Sequence, residues 1–288
     1  MNSDLVSEII VPFGLSTLAH PINLCRVLMI VGYEPLPYEL THKLFSQKPA
    51  YCYPNILRYL KKIYQDIGLW GLFTTGLPAS IINESIRTLA TDIAAERFFP
   101  AFHRKKSNIE TDKGFLKCMK TSTQLGLARA CGTAIAYPFQ VIMVRQIVDR
   151  AQNVGIYTSM LKTTLEIFAQ DSGSGFLSGL VPRCFMDIVN TLAVGAFVFV
   201  FNNYVFDNNT DPQKALKEQS VSLASLVVSS FTHPLIVVSF SMCISGSMLP
   251  GSISYYNSMH CFRSLHNSNN LNRGASLFFR YVTPTYIA

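Results

Sequence analysis

The chain has 288 residues, of which 49% are hydrophobic and only 14% charged, and its mean hydropathy is +0.26. That balance excludes an ordinary soluble domain and points to a membrane protein. The net charge of +7 is concentrated in loops, above all in HRKKSNIETDKGFLK at residues 103–117. Such a loop suits anionic headgroups or an orientation signal. No aromatic residues are interleaved in the manner of a nucleic-acid-binding module, so no nucleic-acid partner is expected.

The N-terminus, MNSDLVSEII, carries Asp4 and Glu8 without a basic residue, unlike a secretory signal or a cleaved mitochondrial presequence. Charge-free runs then recur at residues 9–25, 67–83, 130–144, 188–206 and 219–262. A crossing helix needs ~20 apolar residues and a barrel strand ~10 of alternating polarity, so five helical crossings are predicted. They fall near residues 5–31, 76–98, 118–148, 181–205 and 219–248. The seven cysteines form no C-x-x-C and no paired framework, and small apolar packing is their expected role.

Internal repetition organises the chain. Pro21, Pro138 and Pro234 each fall inside a predicted span, followed by a loop, a short amphipathic stretch and an aromatic block. The amphipathic stretches at Tyr157 and Tyr256 share Tyr-x-Ser-Met, while the one at Tyr53 matches only in apolar spacing. The blocks GLFTTGLP (71–78), GFLSGLVP (175–182) and LFFRYVTP (277–284) align, each with a proline seven positions after its first residue. One membrane domain of three repeats is predicted: 1–103, 104–210 and an incomplete 211–288. The last block stands where a sixth membrane helix would begin, and that helix is expected to be missing.

This pattern resembles the mitochondrial carrier superfamily, whose fold is three such units forming a six-helix barrel. VGYEPLP at Val31, GLVPR with a following Asp-Ile at Gly179, and RGASLFFR at Arg273 resemble more closely its divergent outer-membrane branch, the mitochondrial carrier homologs. The implied fold is an all-α, carrier-like three-repeat membrane bundle lacking the sixth helix, with about five crossings and short surface helices. Carriers place an acid two residues and a base five residues after each kink proline. Here those positions are Asn23 with Arg26, Gln140 with Met143, and Ile236 with Ser239. No ring of opposite charges can form from them, so a gated solute-exchange cycle is not expected.

What remains polar within the predicted spans defines the candidate site. Asn23 and Arg26 lie in the first helix, Asn83, Glu84 and Arg87 (with Asp92) in the second, and Arg183, Asp187 and Asn190 in the fourth. Ionisable groups in a span cost roughly 2.5–3.5 kcal/mol each on insertion scales, so they face a protein interior or a wet cavity. Asn83 with Arg87, and Arg183 with Asp187 and Asn190, recur at helical spacing as stripes. The bland alternative is structural pairing, or arginine reaching for the interface, and for each residue alone it weighs about equally. Arg26 is the first choice for a charge that tunes substrate passage, and Asp187 the second.

Other features are weaker. DSGSGFLSG at Asp171 lacks the Gly-Lys-Ser/Thr ending of a phosphate loop and reads as a turn into the fourth helix. His20 and His233 precede kink prolines and are expected to bond backbone. No metal spacing, nucleophile elbow or cofactor motif occurs, and no enzyme activity is expected. The resemblance implies an outer-mitochondrial-membrane insertase for α-helical, including tail-anchored, proteins, with a polar groove open to lipid beside the missing helix. It also implies membrane lipids as partners. The alternatives are a receptor or scaffold for a pro-apoptotic or metabolic regulator, and a lipid scramblase.

Overall fold

The computed structural model describes residues 3–42, 49–98, 114–201, 203 and 219–282. Most of them are helical: α1 Ser3–Val31, α2 Ile56–Thr74, α3 Leu77–Phe98, α4 Phe115–Gln152, α5 Met160–Asp171, α6 Leu180–Val200, α7 Ser220–Cys243 and α8 Ser258–Asn267. Phe115–Gln152, Ser174–Val200 and Ser220–Cys243 are long and apolar enough to cross a membrane, and Thr17–Val31 is a shorter apolar stretch. α3 falls short of that apolarity because Glu84, Arg87, Asp92, Glu96 and Arg97 all lie within it. Pro21, Pro138 and Pro234 lie inside α1, α4 and α7, as the repeat pattern predicts.

The all-α expectation needs one amendment. β1 (Glu39–His42), β2 (Pro49–Tyr53) and β3 (Arg280–Val282) form an antiparallel sheet in the order β1-β2-β3, with Tyr53 opposite Arg280 and Cys52 opposite Tyr281. The third aromatic block, aligned with two blocks that lead into membrane helices, is therefore a strand over Arg280–Val282. Its Arg-Tyr-Val sequence suits a pleated partner surface, and β2 supplies one. Pro284 lies outside the described residues, as do residues 103–113 of the basic loop.

The chain packs as two compact units. The first comprises Met1–Asn83, Pro138–Gly179 and Val237–Ala288, and the second Glu84–Tyr137 and Leu180–Ile236. In α4 the division falls at Pro138, and in α7 it falls just past Pro234.

The first unit displays the repeat most clearly, in α2, α5 and α8. Asn55, Ser159 and Asn257 cap these helices, accepting hydrogen bonds from the backbone N–H of Arg58, Lys162 and His260. Four residues past each cap sit the buried Tyr59, Thr163 and Cys261, and eight past it the buried Ile63, Ile167 and Leu265. A tyrosine stands two residues before every cap: Tyr53, Tyr157 and Tyr255. The register therefore runs through Tyr255 rather than Tyr256, and the first repeat shares the tyrosine, the cap and both buried positions with the other two.

Two segments that mark the closer family resemblance meet in this unit. Gly32, at φ +96°, has no room for a β-carbon because the Arg273 guanidinium occupies that space. Arg273 also donates to Ser241 Oγ at 3.1 Å. Arg280 is ion-paired with Glu34, donates to the Pro54 carbonyl at 3.2 Å, and stacks over Tyr53 and Tyr59, each ring centroid at 5.3 Å. Tyr59 in turn donates to the Tyr33 carbonyl at 2.6 Å, and Tyr33 to that of Ala151 at 3.0 Å. Burial pushes the Arg280 guanidinium down to about 10, still a cation at neutral pH.

A second buried arginine fastens the middle of the unit. Arg145 of α4 donates to the Cys243 carbonyl at 3.0 Å and pairs with Asp171 at 3.0 Å. Its guanidinium lies 5.7 Å from the centroid of the Tyr157 ring. DSGSGFLSG, predicted as a turn, is a short 3-10 turn over Ser174–Leu177, and its Asp171 is this ion-pair partner.

Candidate functional site

The second unit holds residues 84–98 of α3, 115–137 of α4, all of α6 and 220–236 of α7. Its helices approach closely where side chains are small, as membrane helices do. A β-carbon at Gly132 of α4 would lie 2.6 Å from the Arg87 carbonyl oxygen of α3.

Between α4 and α6 this packing builds a polar ladder. Arg129 and Thr133 are one turn apart on α4, and Asp187 and Thr191 are one turn apart on α6. Thr133 Oγ1 donates to Asp187 Oδ2 at 2.5 Å, and Arg129 Nη1 donates to Thr191 Oγ1 at 3.2 Å. Thr191 Oγ1 in turn donates a hydrogen bond to the Asp187 backbone carbonyl at 2.7 Å. Asp187 is buried, and Arg129 lies within electrostatic reach of both Asp187 and Arg87.

Around the ladder the polar groups are only partly satisfied. Glu84 and Arg87 pair at 2.6 Å along their own helix, in a bridge open to solvent. Arg183 Nε and Asn190 Oδ1 are buried without a hydrogen-bond partner among the described residues. Buried polar atoms in a native protein are nearly always bonded to protein or water. Arg87 pairs with Glu84 and Arg129 interacts with Asp187, whereas Arg183 stands one turn before Asp187 on α6.

The sequence-derived site is thus divided. Glu84, Arg87, Arg183, Asp187 and Asn190 belong to the second unit, whereas Asn23, Arg26 and Asn83 belong to the first. Asn23 and Arg26 are exposed on α1, on the face that also exposes Leu18 and Ile22. Gln140 is buried, and Ser239 donates to the Gly179 carbonyl at 3.0 Å, so this carrier gate position serves packing. His20 is buried, with Nε2 2.9 Å from the Thr75 carbonyl oxygen, a backbone partner from another segment; His233 is buried as well.

Sequence reasoning missed Arg129, Thr133 and Thr191. Arg129 borders the charge-free run that begins at Ala130 and so reads as the end of a span. α4 begins at Phe115, however, which places Arg129 well inside the helix. The spacing of Arg129 from Thr133 matches that of Asp187 from Thr191, a signal that the amino-acid sequence itself carries. Among the described residues no group of His, Cys, Asp and Glu could hold a metal ion, and the seven cysteines are free.

Comparison with known proteins agrees with this architecture. Residues 116–208 match the family model described as mitochondrial carrier protein. The chain is 27% identical over 290 residues to Mitochondrial carrier homolog 2 of Homo sapiens, covering 97% of this chain and 95% of that protein. It is 26% identical to Mitochondrial carrier homolog 1 of Mus musculus, over 94% of this chain and 75% of that protein. Similarity to Solute carrier family 25 member 33 of Homo sapiens, at 27% identity, reaches only 49% of this chain. With the repeat carried through α2, α5 and α8, and with similarity to Mitochondrial carrier homolog 2 along nearly its whole length, the chain is most simply placed beside the mitochondrial carrier homologs.

Proposed function

We propose that this mitochondrial membrane protein is an insertase of the outer membrane, acting on α-helical and tail-anchored proteins without nucleotide or cofactor. In this reading the chain crosses the bilayer five times. The polar faces of α3, α4 and α6 form a groove open to lipid. The observation that carries the reading is the half-satisfied ladder: a buried Asp187 held by Thr133, beside buried Arg183 and Asn190 atoms that protein does not satisfy.

A substrate helix must move its polar flank past hydrocarbon, where each unsatisfied backbone or charged group costs several kcal/mol. Hydrated polar side chains along the groove lower that barrier, while the apolar part of the substrate enters lipid and drives the step. Arg26 is assigned the tuning of substrate entry, on the strength of its exposure on α1.

The test is reconstitution in liposomes with a tail-anchored substrate. Insertion rises above the empty-liposome rate without nucleotide, and Asp187→Arg changes it while the helical content stays constant. Insertion at the empty-liposome rate, with binding of a soluble regulator retained, overturns the insertase in favour of a receptor. Leaflet exchange of a labelled lipid without insertion identifies a scramblase.

A further inference from the structure

The three surface helices of the first unit share an inner face but not an outer one. On α5, Leu161, Leu165 and Phe168 are 80, 70 and 56% exposed, spaced as one stripe opposite the buried Thr163 and Ile167. Phe168 meets Phe176 edge-on at 5.1 Å, tying the helix to the 3-10 turn. The exposed apolar surface continues through Leu177, the last residue of that turn. The turn itself opens Ser174–Val200, a segment apolar and long enough to span a bilayer.

α2 ends differently but reaches the same surface. Gly68, at φ +73°, interrupts the helical backbone, and beyond it Leu69 and Trp70 stand exposed, Trp70 at 83%. Trp70 and the Ser159–Met160 end of α5 border one cavity of about 500 Å³, so the tip of α2 lies near the start of α5. α8 carries no such stripe along its length: Met259 stands among His260, Arg263, His266 and Asn267, and the exposed Ile253 and Tyr256 precede the helix rather than continue along it.

We propose that α5 and the Leu69–Trp70 tip of α2 are seated in the boundary between lipid headgroups and acyl chains, while α8 stands in water. The occupant of the stripe is lipid because the stripe is continuous with a membrane-crossing segment, and hydrocarbon already begins there. Tryptophan favours this boundary, where its ring is buried and its N–H stays hydrated. An amphipathic helix in that position sinks its apolar face about 5–10 Å. The inference requires the chain to be in a membrane and is independent of insertase activity.

Trp70 is the single tryptophan of the sequence, so the unmodified protein carries its own reporter. In proteoliposomes its emission is expected to be blue-shifted from that of tryptophan in water. Quenching should be stronger with spin labels near the headgroup than with labels near the chain end, and weak with aqueous iodide. For α5, Leu165→Trp in a Trp70→Phe background is expected to behave like Trp70, whereas Met259→Trp in the same background, on α8, is expected to be quenched by iodide. Water-like emission with full iodide quenching at Trp70 or at position 165 overturns the proposal. Protection from both iodide and lipid-borne labels also overturns it, because a protein partner then covers the stripe. Lipid-depth quenching at position 259 equal to that at 165 removes the asymmetry and overturns the part that sets α8 apart.

Discussion

The two most enclosed arginines of the first unit and the half-exposed arginines of the second are partnered differently. In the first, Arg145 and Arg280 each gather a carboxylate, a backbone carbonyl and aromatic rings, so that burial is compensated on several sides. In the second, Arg87 reaches only as far as Glu84 on its own helix, Arg129 bonds one hydroxyl, and Arg183 Nε bonds nothing among the described residues. A fully partnered cation fixes geometry, because any movement exposes an uncompensated charge. A partly partnered one keeps water close and costs little to displace. Under the proposed function, the first unit serves as scaffold and the second as the working surface.

Substitutions can break or sharpen that contrast. The largest effect is expected for Arg145→Met or Asp171→Leu alone, each lowering stability by about 3–5 kcal/mol by leaving a buried charge unpaired. Unfolding in detergent followed by circular dichroism measures it, and the double variant should recover part of the loss. If the single variants are as stable as the parent, the scaffold reading fails. Next come the helix caps: Asn55→Ala, Ser159→Ala and Asn257→Ala should each cost about 1 kcal/mol. Similar losses at the three sites would support the equivalence of the repeats.

In the second unit, Glu84→Gln removes an exposed bridge and should change stability by less than about 1 kcal/mol. Its effect on insertion should exceed that structural change; an unchanged insertion rate removes the pair from the groove. The smallest effect concerns thiols. Burial in α8 pushes the Cys261 thiol up to about 12 from a usual 9, so it stays protonated when an exposed thiol ionises. Its contribution to stability is full below pH 9 and declines as pH rises from 9 toward 12. At pH 8 a maleimide should modify the exposed Cys131 and leave Cys261 unreacted, as mass spectrometry of the labelled protein would read.

Much of the fold is legible in the sequence, because repetition and hydropathy are local signals. Helix positions, the three internal prolines and the polar residues of α3 and α6 all follow from runs and spacings. The sheet is not legible: β3 is three residues long and exists because β2, more than 200 residues earlier, offers it an edge. Position within the helix, not residue type, hides Arg129, since a charge beside an apolar run looks like the end of that run. Gly32 and Arg273 belong to two separate motifs, and nothing in either says that they touch. Asp171 reads as part of a glycine-rich turn, although its carboxylate rather than the turn is what the fold uses.

The ion pair of Glu34 with Arg280 joins positions 246 residues apart. At about 5–20 residues per second, ribosomal synthesis separates the two by roughly 12–50 s. Throughout that interval Glu34 has no Arg280 to meet, and the first unit, assembled from three separated segments, has no closing strand. A growing chain therefore stays incomplete until Arg280 has emerged. Whatever guides it to the membrane handles a protein whose scaffold closes late.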